Sequence, residues 1–194
     1  MRRRNAYRIS TMSNLHSAAD LFLASTIREF RAQKSMAERA INQLSFEQLR
    51  VPLDENTNSI AVIMKHMAGN LLSRWRDFLT SDGEKPDRDR DGEFVDTFTS
   101  RDELMAFWER GWACALGSLE SLTSDHLTKT VAIRSQPHSV VDAIQRSLAH
   151  TGYHVGQIVQ LARYLAKDQW TTLTIPRGQS KRFNAQMQAR HAKP

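Results

Sequence analysis

The run Arg146-Ser-Leu-Ala-His150-Thr-Gly-Tyr-His154-Val-Gly-Gln157-Ile-Val-Gln-Leu-Ala-Arg163 limits the fold more than any other part of the chain. With the residues just before it, it sets Ile144, Leu148, Thr151, Val155, Ile158, Val159 and Ala162 at helical spacing on one stripe. A helix of that kind needs other elements to cover the stripe. The run also holds His150 and His154, four residues apart on the flank of the stripe. Four residues is one helical turn, so the two imidazoles lie on one face, one above the other. Such a pair can take two positions on one metal ion, but a third ligand must come from elsewhere. Without that ligand the two rings read as polar filler sooner than as a metal site. The pattern lacks the glutamate of H-E-x-x-H, so zinc-peptidase chemistry is not supported.

Three further amphipathic stretches supply partners for the stripe. A first helix is expected from about Leu15 to Gln43, with Leu21, Phe22, Ile27, Phe30, Ala37 and Ile41 recurring on one side. A second is expected from Ile60 to about Leu79, capped by Asn58 or Ser59. Ser100-Arg-Asp-Glu103 has the spacing of a capping box and opens a third through Leu122. Ser139 opens the fourth, which runs to about Ala166. Residues 126–136 alternate and are β-branched, as in a short extended segment or hairpin arm. The end, from Trp170 to Gly178, reads as an extended tail followed by a short basic helix, Ser180 to Arg190. These elements predict an all-α chain built on a four-helix bundle. Long connections after the first three helices allow an order other than simple antiparallel hairpins. Residues 1–12 read as a disordered basic extension and 13–194 as one domain, since amphipathic pattern begins only near Met12.

Charge and composition narrow the function classes. The net charge of +6 sits at the ends: residues 1–11 hold four Arg and no acid, and residues 175–194 hold five basic residues and no acid. The body is therefore slightly acidic, and the basic ends read as solvated tails rather than a nucleic-acid surface. No apolar run reaches the roughly 20 residues of a membrane span. No secretory signal is recognisable, and a single Cys114 forms no internal disulfide, so a reducing cytoplasm is expected. Cys114 lies among Trp112, Ala113, Ala115 and Leu116 and reads as packing. His16, His126, His138 and His191 have no spacing that argues for a site. The acidic residues between Asp82 and Glu93 alternate with Arg and read as a solvated, salt-bridged loop, leaving no carboxylate on the histidine face to act as a base. On the second helix His66 sits at the edge of the stripe, with Asn70 one turn beyond. Tyr153 and Gln157 lie on the histidine side of the fourth helix and are candidates to orient a ligand or touch substrate.

One His on the second helix and H-x-x-x-H on the fourth resemble the DinB-like (DinB/YfiT-like) superfamily. Asn58-Ser-Ile-Ala-Val-Ile-Met-Lys-His66-Met-Ala-Gly-Asn70-Leu-Leu-Ser-Arg-Trp75 is similar to an uncharacterised subgroup of it. So are Asp82-Gly-Glu-Lys-Pro86 with Arg88, Arg90, Glu93 and Phe94, His150-Thr-Gly-Tyr-His154-Val-Gly-Gln157, and Ile175-Pro-Arg-Gly178 before Phe183-Asn184. The likeness runs from about Leu15 to Asn184. It implies an up-down-down-up helix order, a homodimer, and a divalent metal on His66, His150 and His154. Zinc or nickel would suit those ligands best, with iron or manganese next. Relatives of this kind include bacillithiol S-transferases and the mycothiol-dependent maleylpyruvate isomerase, while others are labelled metal-dependent hydrolases. The resemblance thus implies activation of a low-molecular-weight thiol for transfer to an electrophilic small molecule, with hydrolysis or a non-catalytic metal-binding bundle as alternatives. Arg74, Arg88, Arg90 and Arg177 are the cationic groups available for an acidic thiol cofactor or substrate.

Overall fold

The computed structural model describes residues 17–191. The basic extension expected over residues 1–12, and His16, lie outside the described residues. Six helices and a two-stranded hairpin follow in the order α1 (Ala18–Ile41), α2 (Phe46–Leu49), α3 (Ile60–Trp75), α4 (Arg101–Glu120), β1 (Thr130–Ile133), β2 (Gln136–Ser139), α5 (Val140–Ala166) and α6 (Ser180–His191). No described helix is long and apolar enough to cross a membrane.

Serine hydroxyls start the four long helices. Ser17, Ser59, Ser100 and Ser139 each accept a backbone N–H of the first turn: Asp20, Val62, Glu103 and Asp142 respectively. Each removes one unpaired donor from a helix end. The box expected at Ser100 forms only by half. Glu103 turns its carboxylate to the Thr99 N–H and hydroxyl, not to the Ser100 N–H. A complete box forms where none was expected, between Ser45 and Gln48 at the start of α2. The helix carrying His66 ends at Trp75, earlier than its apolar pattern suggests. Asp77 takes a left-handed backbone conformation, φ 49°, and its carbonyl collects the N–H groups of Thr80 and Ser81 in a turn.

The long helices pack α1 on α5 and α3 on α4, with α1 also touching α4 and α3 touching α5. Their shared core is aromatic. Phe30 meets Trp75 and Trp112 edge-on at 5.8 and 6.4 Å, and Trp108 meets Trp112 at 5.5 Å. Aromatic pairs of this geometry add about 0.5–1.5 kcal/mol to their burial. Trp75 Nε1 donates to Ser147 Oγ at 3.1 Å, which ties α3 to α5. Ser118 Oγ donates to the Trp75 carbonyl at 2.7 Å and ties α3 to α4. A Cβ at Gly111 would lie 2.7 Å from Ala68 Cα, so glycine sets the close approach of α3 and α4.

The extended segment expected before the fourth helix is an antiparallel hairpin pairing Thr130 with Ser139 and Ile133 with Gln136. Its turn residues, Arg134 and Ser135, both have positive φ, 55° and 60°. A two-residue hairpin turn of this hand is usually filled by Asn and Gly. Here Asp82 stabilises it, accepting the N–H groups of Arg134 and Ser135 at 2.8 and 2.6 Å. Gly83 N donates to Ala132 O at 2.8 Å, so the 81–94 connection is stitched along the hairpin edge. Beyond α5 the chain is irregular to the exposed helix α6.

Candidate metal centre

His66 stands in the middle of α3, and His150 and His154 one turn apart on α5. The contact of these two helices brings the three rings together, and each offers a ring nitrogen within 4.8 Å of the others. His150 Nε2 lies 3.3 Å from His66 Nε2 and 3.2 Å from His154 Nε2. A tetrahedral ion with metal–nitrogen bonds of about 2.0–2.1 Å holds its ligands about 3.3–3.4 Å apart. His66 is buried, and the other two are half-buried.

Each outer ring is oriented from behind. His66 Nδ1 lies 2.9 Å from Glu93 Oε2. Against a carboxylate, which only accepts, Nδ1 carries the proton, and in the neutral ring Nε2 is then the nitrogen with a lone pair. His154 Nδ1 lies 2.7 Å from Gln157 Oε1, and Gln157 Nε2 donates to the Tyr153 hydroxyl at 3.2 Å. The amide is thereby turned to accept, and His154 Nε2 is also left with a lone pair. Burial and the neighbouring imidazoles push His150 down to about 3, and burial lowers His154 as well. Both are therefore neutral near pH 7. Three imidazole nitrogens thus converge in one half-buried site, two of them with their outer nitrogens already hydrogen-bonded, and such a donor set fits a divalent metal ion.

Glu93 is the residue that the sequence pattern missed. The loop it belongs to is salt-bridged as expected but only partly solvated: Asp87, Asp89, Arg90 and Asp91 are exposed, while Lys85, Glu93 and the guanidinium of Arg88 are buried. Arg88 binds both Glu93 oxygens, through Nε and Nη2, at 2.8 Å each. Burial raises the Glu93 carboxyl, but the His66 and Arg88 hydrogen bonds and the Arg88 charge outweigh it and hold it below the usual carboxylate range. Glu84 continues the network, accepting from Arg74 at 2.9 Å, Arg134 at 3.0 Å and Arg88 at 3.3 Å. Phe94 stacks on His66 with ring centroids 4.7 Å apart. The sequence carries one trace of the close approach to α3, though not of the partner that makes it. Gly69 interrupts a helix interior, where glycine costs about 1 kcal/mol against alanine. A Cβ there would lie 2.7 Å from Glu93 Cδ.

The remaining candidates divide. Asn70, Arg74, Arg88 and Arg90 line a cavity of about 190 Å³ that is also walled by His66 and His150. Tyr153 is exposed and acts on the histidines through Gln157. Arg177 is exposed in the segment after α5 and lines none of the cavities described around the histidines. Cys114 is half-buried on α4, and burial raises its thiol above the usual range, as suits packing.

A family model described as "Protein of unknown function (DUF1572)" matches residues 17–179. No curated protein matches the chain.

Proposed function

The chain belongs to the DUF1572 family, and on that premise we propose that it is a metal-dependent enzyme of DinB-like type acting on a small molecule. His66, His150 and His154 would hold a divalent ion through their Nε2 atoms. An all-imidazole set suits zinc or nickel, with iron or manganese next. Bound there, the ion would supply Lewis acidity, which lowers the pKa of a thiol or of water enough to give a nucleophile at neutral pH. We extend the proposal to the rest of the DinB-like pattern: an up-down-down-up order of α1, α3, α4 and α5, a homodimer, and a cytoplasmic setting in which low-molecular-weight thiols are abundant.

The chain's own residues have separable roles in this reading. Glu93, held by Arg88, keeps His66 in the tautomer that points a lone pair inward. Gln157 does the same for His154. Glu93 is fully engaged by these partners and so acts as a positioning residue, not as a general base. Thiol transfer is the leading reaction and hydrolysis the second. The observation that carries the proposal is the convergence of three imidazoles with two of their outer nitrogens already satisfied.

Metal analysis of purified protein against the double variant His150→Ala/His154→Ala tests the site. Stoichiometric metal in the wild type and none in the variant is expected; equal retention by both would remove the assignment. Conjugation of an electrophilic dye by the metal-loaded protein, with and without added thiols, then separates the reactions. Turnover that requires a thiol supports transfer, and turnover without one supports hydrolysis.

A further inference from the structure

The cavity beside His66 and His150 has a wall chemistry that the metal reading does not require. Its floor is apolar, formed by Trp75, Phe78, Ile133 and Ala143. Five arginines stand around it: Arg74, Arg88, Arg90, Arg134 and Arg146. They come from α3, the 81–94 connection, the hairpin turn and α5, so the fold gathers them from four separate stretches. Within the network, two carboxylates face them. Glu84 pairs with Arg74, Arg134 and, at longer range, Arg88, and Glu93 pairs with Arg88, so two negative charges face three positive ones.

Two guanidiniums remain uncompensated. Arg146 has no ion pair or side-chain hydrogen bond among the described residues. Arg90 reaches only the fully exposed Asp91, at 3.9 Å, and lies over the Phe94 ring at 5.3 Å. Phe94 is the ring stacked on His66. The hairpin turn that carries Arg134 to the wall sits in a backbone conformation unfavourable for both its residues, and Asp82 holds it there. Such strain, worth about 1–3 kcal/mol per residue, persists where the surroundings fix it, often at binding sites.

From this wall we infer that the cavity is a binding site for a small organic anion. One carboxylate or phosphate group is taken by Arg146 and Arg90, and an apolar body of about single-ring size rests on Trp75, Phe78 and Ile133. The size follows from the volume: a cavity of about 150 Å³ holds benzene, and this one measures about 190 Å³. Guanidinium groups pair with either oxyanion through two parallel hydrogen bonds, so the arginine chemistry is common to both. The inference deepens the metal reading by naming the substrate class for the same site. Binding itself does not depend on the metal.

The test is calorimetric titration of the full chain as purified with benzoate, phenyl phosphate and the neutral isostere benzamide. It is repeated with the exposed-residue variant Arg90→Gln/Arg146→Gln, whose fold is checked by circular dichroism. One or both anions should bind at least tenfold more tightly than benzamide, and the variant should lose at least tenfold for the anion. Comparing benzoate with phenyl phosphate identifies which oxyanion the site prefers. Benzamide binding as tightly as the anions, no binding by either anion, or a variant that binds like wild type overturns the inference. A parallel titration after chelation, with metal content measured, isolates the two readings. Anion binding that vanishes with the metal and ignores the arginine change is coordination alone and also overturns it. Anion binding that survives chelation and falls in the variant upholds it even if the metal assignment fails.

Discussion

His66 and the pair on α5 meet at one point but are held by opposite means. His66 is buried, stacked on Phe94, and fixed through Nδ1 by a carboxylate that is itself clamped by a buried guanidinium. His150 and His154 are set by helix geometry, and behind His154 stands only a half-buried amide leaning on an exposed tyrosine. The α3 side is therefore preorganised by charge in a dry setting, where a broken pair leaves an expensive orphan. The α5 side is preorganised by the backbone, and its supports are wet. Perturbations of the same chemical kind should cost more on the α3 side.

The largest effect is expected from Glu93→Ala. It removes the partner of His66 Nδ1 and leaves buried Arg88 with Glu84 alone. Breaking a buried pair by removing one member costs about 3–5 kcal/mol, and loss of a carboxylate behind a ligating histidine lowers metal affinity about 10–100-fold. Denaturant unfolding and metal competition should register both losses. Glu93→Gln keeps the shape but only one acceptor oxygen and no charge, so its NH2 must oppose an Arg88 N–H, and it should recover only part of the stability and not the full affinity. If Glu93→Ala unfolds like wild type, the clamp is not the reason that His66 is fixed.

Gly69→Ala comes next and reaches the same clamp from the helix side. Alanine gains about 1 kcal/mol of helix propensity, yet its methyl would lie 2.7 Å from Glu93 Cδ. Glu93 cannot swing away without releasing His66 or Arg88. A net destabilisation of about 1–2 kcal/mol is expected, with weaker metal binding, as is usual when a packed site is overfilled. A stabilised Gly69→Ala protein would mean that the carboxylate has room to move.

The same contrast explains what the sequence made legible. Helix positions followed from apolar spacing and, for the last three long helices, from the polar cap ahead of the stripe, because both are local signals; the Ser17 cap of the first went unread. His150 and His154 were legible for the same reason: four residues on a helix fixes their relation. His66 was visible only as a polar residue at a stripe edge, until the resemblance paired it with them. Glu93 had no local signature. It is one of six acidic residues between Asp82 and Glu93, and only tertiary burial distinguishes it from the others. The connection carries almost no apolar residues, so hydrophobic patterning gave no reason to fold it inward. Its anchoring is polar instead: Asp82 on the hairpin turn, Arg88 on Glu93, and Lys85 on the Asp82 carbonyl.

On the α5 side, Gln157→Ala tests the weaker support. It frees His154 to change tautomer but leaves no buried charge unpaired. Metal affinity should fall toward the lower end of the about 10–100-fold range for such partners, and stability should stay within about 0.5 kcal/mol of wild type. A loss of affinity as large as that of Glu93→Ala would erase the distinction between the two sides. Tyr153→Phe, one bond further out, should do less than Gln157→Ala.

The smallest effect belongs to the outer edge of the clamp and depends on pH. Burial raises the Glu84 carboxyl, but hydrogen bonds from Arg74 and Arg134 and the nearby positive charge hold it below its usual value of 4.5. Its folded pKa is thus lower than its unfolded one, so the unfolded chain takes up the proton first as pH falls. The stabilisation from Glu84 is complete above about pH 4.5 and is lost as pH drops through the folded value. Its side chain is 27% exposed, so Glu84→Gln should cost only about 1 kcal/mol at pH 7. The gap between wild type and variant should begin to narrow below about pH 4.5 and close once the pH has fallen through the depressed folded value, where wild-type Glu84 is protonated as well. A gap that persists after Glu84 is protonated in the folded protein, as read from its own titration, would assign Glu84 a packing role in place of a charge role. The variant also releases Arg74 and Arg134 toward the cavity, so benzoate should bind it more tightly than it binds wild type at neutral pH. That links the inner clamp, which serves His66, to the outer wall, where the arginines left over are the ones free to meet an anion.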